Sequence, residues 1–151
     1  MYLNCLNNKQ TFDETLQTLN DKNLKTKVYD DKNLYLVKYD KTVCDMKDSD
    51  IKKCRGIILE KDTNRLVCVP PPHHDDLENI NEFDFKTLIC DEYVEGSMIN
   101  IFKYKNNVEI STRSCIGGNN NFSSKKSFLE MFSDVIDINK FNILLENVSL
   151  I

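Results

Sequence analysis

The amino-acid sequence predicts an α+β domain with a mostly antiparallel sheet and two short helices. Three observations carry that expectation. Short apolar runs of strand composition recur along the chain, separated by polar turns. Two segments with helical spacing stand apart from them, one near each end. Ala, the strongest helix former, is absent altogether, which tilts local propensity toward strands.

The elements follow in order. Thr11-Phe12-Asp13-Glu14 reads as a capping box, and Phe12, Leu16 and Leu19 behind it repeat at helical spacing, so a helix of about 8 to 10 residues begins here. Leu34 to Tyr39 has strand composition, and the charged stretch from Asp40 to Lys53 reads as loop. Arg55 to Glu60 and Arg65 to Val69 are two apolar runs around a polar turn, the pattern of a hairpin. Pro70-Pro71-Pro72 closes the second run, because proline has no N–H to give a ladder. Leu88 to Glu95, Ser97 to Tyr104 and Val108 to Thr112 read as further strands, the last two joined at Lys105-Asn106-Asn107. Gly117-Gly118-Asn119-Asn120-Asn121 reads as a flexible loop. Ser124 then caps a helix with a stripe of Phe128, Leu129, Phe132, Val135 and Ile136. A final strand is expected from Phe141 to Leu145 and onward.

The 151 residues amount to one domain, and neither an internal repeat nor a linker divides them. With 40% hydrophobic and 29% charged residues, the chain has the usage of a folded globular protein. No apolar run approaches the roughly 18 residues of a membrane span, and the start lacks a signal peptide's pattern. A soluble intracellular protein without a membrane partner is expected. The net charge is −4 and arginines stand only at 55, 65 and 113, which does not suit a clamp on duplex DNA. The six cysteines form no C-x-x-C pair, so reduced, mostly buried thiols are expected.

The chemistry-bearing pieces occur in a set order. Cys54-Arg55-Gly56-Ile57 comes first, then Tyr93-Val94-Glu95-Gly96-Ser97, then Thr112-Arg113, the Ser124 to Ile136 helix, and Leu145-Glu146-Asn147-Val148-Ser149. This order resembles that of the phage-type RNA ligases in the covalent nucleotidyltransferase superfamily. Their hallmarks are a C-R-G-I strand, K-x-D-G-S, a hairpin with a basic residue, a helix, and an F-E strand. The resemblance covers about two thirds of the chain. It implies the amino-terminal half of the ligase fold, with Glu146 on the ribose, Arg113 near the same sugar, and Gly96 admitting a ligand close to the backbone. Tyr93, Glu95, Gly96, Arg55, Arg113 and Glu146 are thus the candidate nucleotide-binding residues.

One departure bears directly on activity. In the family the motif lysine forms a lysyl-AMP adduct, and here Tyr93 stands in its place. A phenol has a pKa near 10 and would give a phosphodiester rather than a phosphoramidate. The chain also ends at Ile151, where two further triphosphate-contacting lysines would follow in the family, which gives the expectation of a truncated domain. The resemblance therefore implies a catalytically inactive ligase-like domain, with no catalytic residue and no cofactor, acting as a binding or structural component. Its partners would be other protein subunits in a larger viral complex, located in the cytoplasm, a viral factory or a particle. Two alternatives stand beside this. One is an active ATP- and magnesium-dependent enzyme using another lysine, Lys38 or Lys86; the other is a nucleotide or single-stranded RNA binding module.

Two further clusters have simple structural roles beside their chemical ones. His73-His74-Asp75-Asp76 holds metal-ligand types, but adjacent residues point in different directions, and a solvated loop is the favoured reading. Lys103, Lys105, Lys125 and Lys126 beside Phe102, Tyr104 and Phe122 have the mixture that suits single-stranded nucleic acid, although strand aromatics are more often core.

Overall fold

A computed structural model of the chain describes residues 10–75, 84, 86–87, 89, 91–92, 96–121 and 123–141. The fold is α+β with antiparallel sheets, as the sequence predicts. Four strands, β1 (Lys25–Tyr29), β2 (Leu34–Lys38), β3 (Arg55–Glu60) and β4 (Leu66–Cys68), lie side by side in chain order. A separate hairpin joins β5 (Asn100–Tyr104) to β6 (Asn107–Ser111). Every strand pair is antiparallel.

Each face of the four-stranded sheet is covered, which explains why β2 and β3 are apolar on both sides rather than alternating. On one face Tyr35, Val37, Ile57 and Leu59 pack with Leu19 and Leu24 of the amino-terminal segment and with Ile51. On the other, Leu34, Leu36, Ile58 and Cys68 meet Phe102, Tyr104 and Ile116, which seats the β5–β6 hairpin on the sheet. Tyr35 and Phe102 are both fully buried. The Tyr35 hydroxyl donates to Asn64 Oδ1 at 2.9 Å, and Asn64 Nδ2 donates to the Gln10 carbonyl at 2.8 Å. That pair satisfies the polar groups of a buried asparagine at the β3–β4 turn.

The helices differ in part from expectation. The first, α1 (Phe12–Asp21), has the expected capping box, with Glu14 N–H donating to Thr11 Oγ1 and the Thr11 N–H donating to the Glu14 carboxylate. The described residues hold three α-helices rather than two. The additional one, α2 (Ser49–Lys53), lies inside the stretch expected to be loop, where Asp48 caps it and Ile51 anchors it in the core. The late helix, α3 (Phe128–Ser133), is shorter than expected and is capped by Ser127 with Glu130, not by Ser124. Strand β1 lies in a segment not read as strand. The strand expected to start at Ser97 starts at Asn100. The strand expected beyond Phe141 and most of that expected at 88–95 lie outside the described residues.

Cys44, Cys54, Cys68 and Cys115 are buried thiols. Burial pushes the Cys68 thiol up to about 12. No helix of the described residues is long and apolar enough to cross a membrane.

Candidate functional site

The site begins with a flaw in a ladder. Strands β2 and β3 pair Val37 with Ile57 and then Lys38 with Arg55, so Gly56 is one residue too many and the register slips there. Its φ of +95° is open to glycine at little cost, as glycine-containing β-bulges require. Strict alternation would put Arg55 on the face of Ile57. The bulge instead brings it into register with Lys38, on the face that carries the β5–β6 hairpin.

The second component is the turn after β6. Thr112 N–H donates to the Cys115 carbonyl, while Thr112 Oγ1 accepts from the N–H groups of Ser114 and Cys115 at 3.3 and 3.1 Å. The same hydroxyl donates to Asn120 Oδ1 at 3.1 Å. The Gly117-Gly118 segment is not a free loop. Gly117 N–H donates to the Ile110 carbonyl, and the Gly118 and Asn120 carbonyls accept from Leu129 and Phe128 at the start of α3. A Cβ at Gly118 would lie 3.1 Å from Ile110 Cδ1 and 3.2 Å from Leu129 N.

This turn delivers Arg113 onto the bulge. A Cβ built on Gly56 would lie 2.8 Å from both Cα and the carbonyl oxygen of Arg113, a spacing that only glycine permits. The guanidinium carbon sits 4.4 Å above the Tyr39 ring, and Nη2 donates to the Tyr39 carbonyl at 2.8 Å. Arg113 Nε is buried and, among the described residues, has no hydrogen-bond partner.

Arg55, Gly96 and Arg113 all line one cavity of about 400 Å³, together with Thr112, Asn120 and Phe128. Three of the sequence-predicted residues are thus brought together. Gly96 is exposed and a Cβ there would meet nothing within 4 Å, whereas the tight backbone contact in this region, between Gly56 and Arg113, is one of protein with protein. Tyr93, Glu95 and Glu146 lie outside the described residues. Among the described residues neither guanidinium of the pocket has a carboxylate partner, so the cavity has a cationic wall beside the apolar Phe128 ring.

Lys38 stands next to this wall. Burial pushes its amine pKa down, and the charges of Arg113, Lys25 and Lys27 push the same way against the opposing pull of Asp40. Lys86 lies near the Asp84 turn, its N–H donating to Asp84 Oδ1.

Other sequence clusters have structural uses. His73 is half-buried, its ring 5.8 Å from that of Tyr39, and Asp75 pairs with Lys52 at 2.6 Å. Phe102 and Tyr104 belong to the core, with the Tyr104 hydroxyl donating to Glu60, so they offer no ring for stacking bases. Lys126 pairs with Asp134.

Taken together, the molecule is an α+β protein with antiparallel sheets and a small cationic pocket where a bulged strand meets a turn. No protein-family model matches the chain, and no curated protein or solved structure matches it.

Proposed function

We propose that this chain is a catalytically silent, RNA-ligase-like domain whose pocket binds a nucleotide, and that it serves as a binding component among other protein subunits. The observation that carries this reading is the convergence of Arg55, Gly96 and Arg113, far apart in sequence, on a single cavity. Two guanidiniums without carboxylate partners among the described residues suit a phosphate, for which their planar forks are well shaped. Phe128 offers an apolar wall for a base, and Thr112 and Asn120 offer hydroxyl and amide groups for a sugar. Tyr93, at the position of the family's lysine, supports silence, because it lacks an amine to carry the adenylyl group. The position of β1 at the edge of the described sheet supports a protein partner, since an exposed edge has unpaired backbone groups.

One observation favours a second reading, nucleotidyl transfer from Lys38. Its amine is half-buried beside cations, the setting that makes a lysine nucleophilic. The two readings separate in one experiment. The protein is incubated with magnesium and ATP or GTP labelled at the α-phosphate, then run on a denaturing gel, while AMP is titrated against the melting temperature. The proposal expects no labelled band and a saturable rise in melting temperature that Arg113→Ala removes. A labelled band that disappears in Lys38→Met replaces it with the second reading. Absence of any AMP response overturns nucleotide binding.

A further inference from the structure

The sheet face that carries the pocket's Arg55 holds more positive charge than the pocket uses. Lys25 stands directly opposite Lys38, and Lys38 directly opposite Arg55, on three adjacent strands. At a strand spacing of about 4.8 Å this row of like charges runs roughly 10 Å across the sheet. Lys27 lies two residues from Lys25 on β1, so it shares the face. Arg113 approaches from the turn above, close enough for its charge to act on the Lys38 amine.

Like charges directly opposite in a sheet are destabilising, so such a row asks for compensation. The protein supplies little. Among the described residues Asp40 is the carboxylate acting on Lys38, and it is already bonded to Lys25 Nζ at 2.6 Å. Lys27 turns to a sulfur and a ring, its Nζ 3.9 Å from Cys115 Sγ and 5.1 Å from the Tyr29 ring centre. Lys38 is half-buried, and its amine makes neither a hydrogen bond nor an ion pair among the described residues. Among the described residues, Lys25, Lys27, Lys38 and Arg113 set against Asp40 leave three positive charges uncompensated.

We propose that this face is a second ligand site, adjoining the pocket and sharing Arg113 with its lining, for a compact, multiply charged oxyanion of the phosphate class, with Lys38 at its centre and Lys25, Lys27 and Arg113 around it. A single carboxylate would leave most of the charge unanswered. A group with two or more negative charges on tetrahedrally arranged oxygens answers it, and reaches amines approaching from both strands and the turn. The site does not depend on the pocket accepting a nucleotide.

The probe is inorganic triphosphate, titrated into the full chain at low salt and followed by calorimetry and by melting temperature, with sodium chloride at matched ionic strength as the screening control. Triphosphate is expected to bind saturably and to raise the melting temperature beyond the chloride control. Lys38→Met is expected to raise the melting temperature of the free protein, because it removes the repelled charge, and to weaken triphosphate at least tenfold. These opposite signs distinguish a ligand site from a structural lysine. Lys25→Gln, at an exposed position, serves as a second variant and is expected to weaken triphosphate several-fold, whereas Lys105→Met, on the β5–β6 turn, is expected to leave it unchanged. Adenosine, which has no phosphate, reports on the pocket separately, and its response is expected to be indifferent to Lys38→Met. A triphosphate effect no larger than that of chloride, or undiminished affinity in both Lys38→Met and Lys25→Gln, overturns the proposal whatever adenosine does.

Discussion

Replacing Gly56 with alanine tests whether the bulge is the foundation of the pocket. The new methyl group would lie 2.8 Å from two backbone atoms of Arg113, well inside the roughly 3.5 to 4 Å of a comfortable carbon contact. Backbone cannot swing aside as a side chain can, so the overpacking cost is about 1–3 kcal/mol. Holding an alanine at φ +95° adds about 1–2 kcal/mol. Stiffening of the unfolded chain returns about 0.4–1 kcal/mol. The expected net loss is therefore about 1–4.5 kcal/mol, centred on about 3, or a fall in melting temperature of roughly 6–12 °C at that centre for a chain of this size. Urea unfolding followed by circular dichroism should show a lower midpoint with an unchanged slope. AMP should lose most of its stabilising effect, because the displaced turn takes Arg113 with it. Gly96→Ala is the internal control, since open space surrounds that position, and a change within about 0.5 kcal/mol is expected. Equal stability of the two variants would refute the assignment of Gly56 as the support of Arg113.

Three further outcomes follow from the same geometry. Tyr35→Phe leaves the Asn64 carbonyl oxygen buried without its 2.9 Å donor and should cost about 1–3 kcal/mol by urea unfolding. Lys25 and Thr42 hold the Asp40 carboxyl well below its ordinary 3.8, so its contribution to stability is complete above that value and is lost as pH falls below it; Asp40→Asn should flatten the acid limb of a melting-temperature profile. Burial pushes the Cys68 thiol up to about 12, so iodoacetamide at pH 8 should alkylate Cys68 only after unfolding, as peptide mass mapping would reveal.

The parts of the fold legible in the sequence are those decided locally. Thr11 and Glu14 announce α1 because both partners of the capping box lie within one turn. The β3–β4 hairpin is legible because two apolar runs flank one polar turn. What escaped is decided at a distance. The segment Ser49–Lys53 shows no helical period, since only Ile51 and Asp50 face inward and the helix is too short to repeat. Strand β1 pairs along one edge only, and its two lysines conceal the pattern. Ser127 and Glu130 form the capping box of α3, and Ser124, three residues earlier, is an N-cap type of residue without the partner glutamate. At the site, the motif order pointed to Arg55 and Arg113. The bulge at Gly56 and the neighbourhood of Lys38 were hidden, because a register slip and a gathering of like charges exist only once strands are paired.

Asn64 has a consequence for the order in which the chain folds. Its amide joins the β3–β4 turn to the Gln10 carbonyl at the entrance to α1, across 54 residues of sequence. The strand hairpins close shorter loops and can form while that entrance is still free. Final anchoring of the amino-terminal helix waits for a turn that positions Asn64, and loop-closure entropy places such a contact late. The helix is thus encoded first and secured last, so the amino-terminal segment should be among the first regions to exchange its amide protons when the native state opens locally.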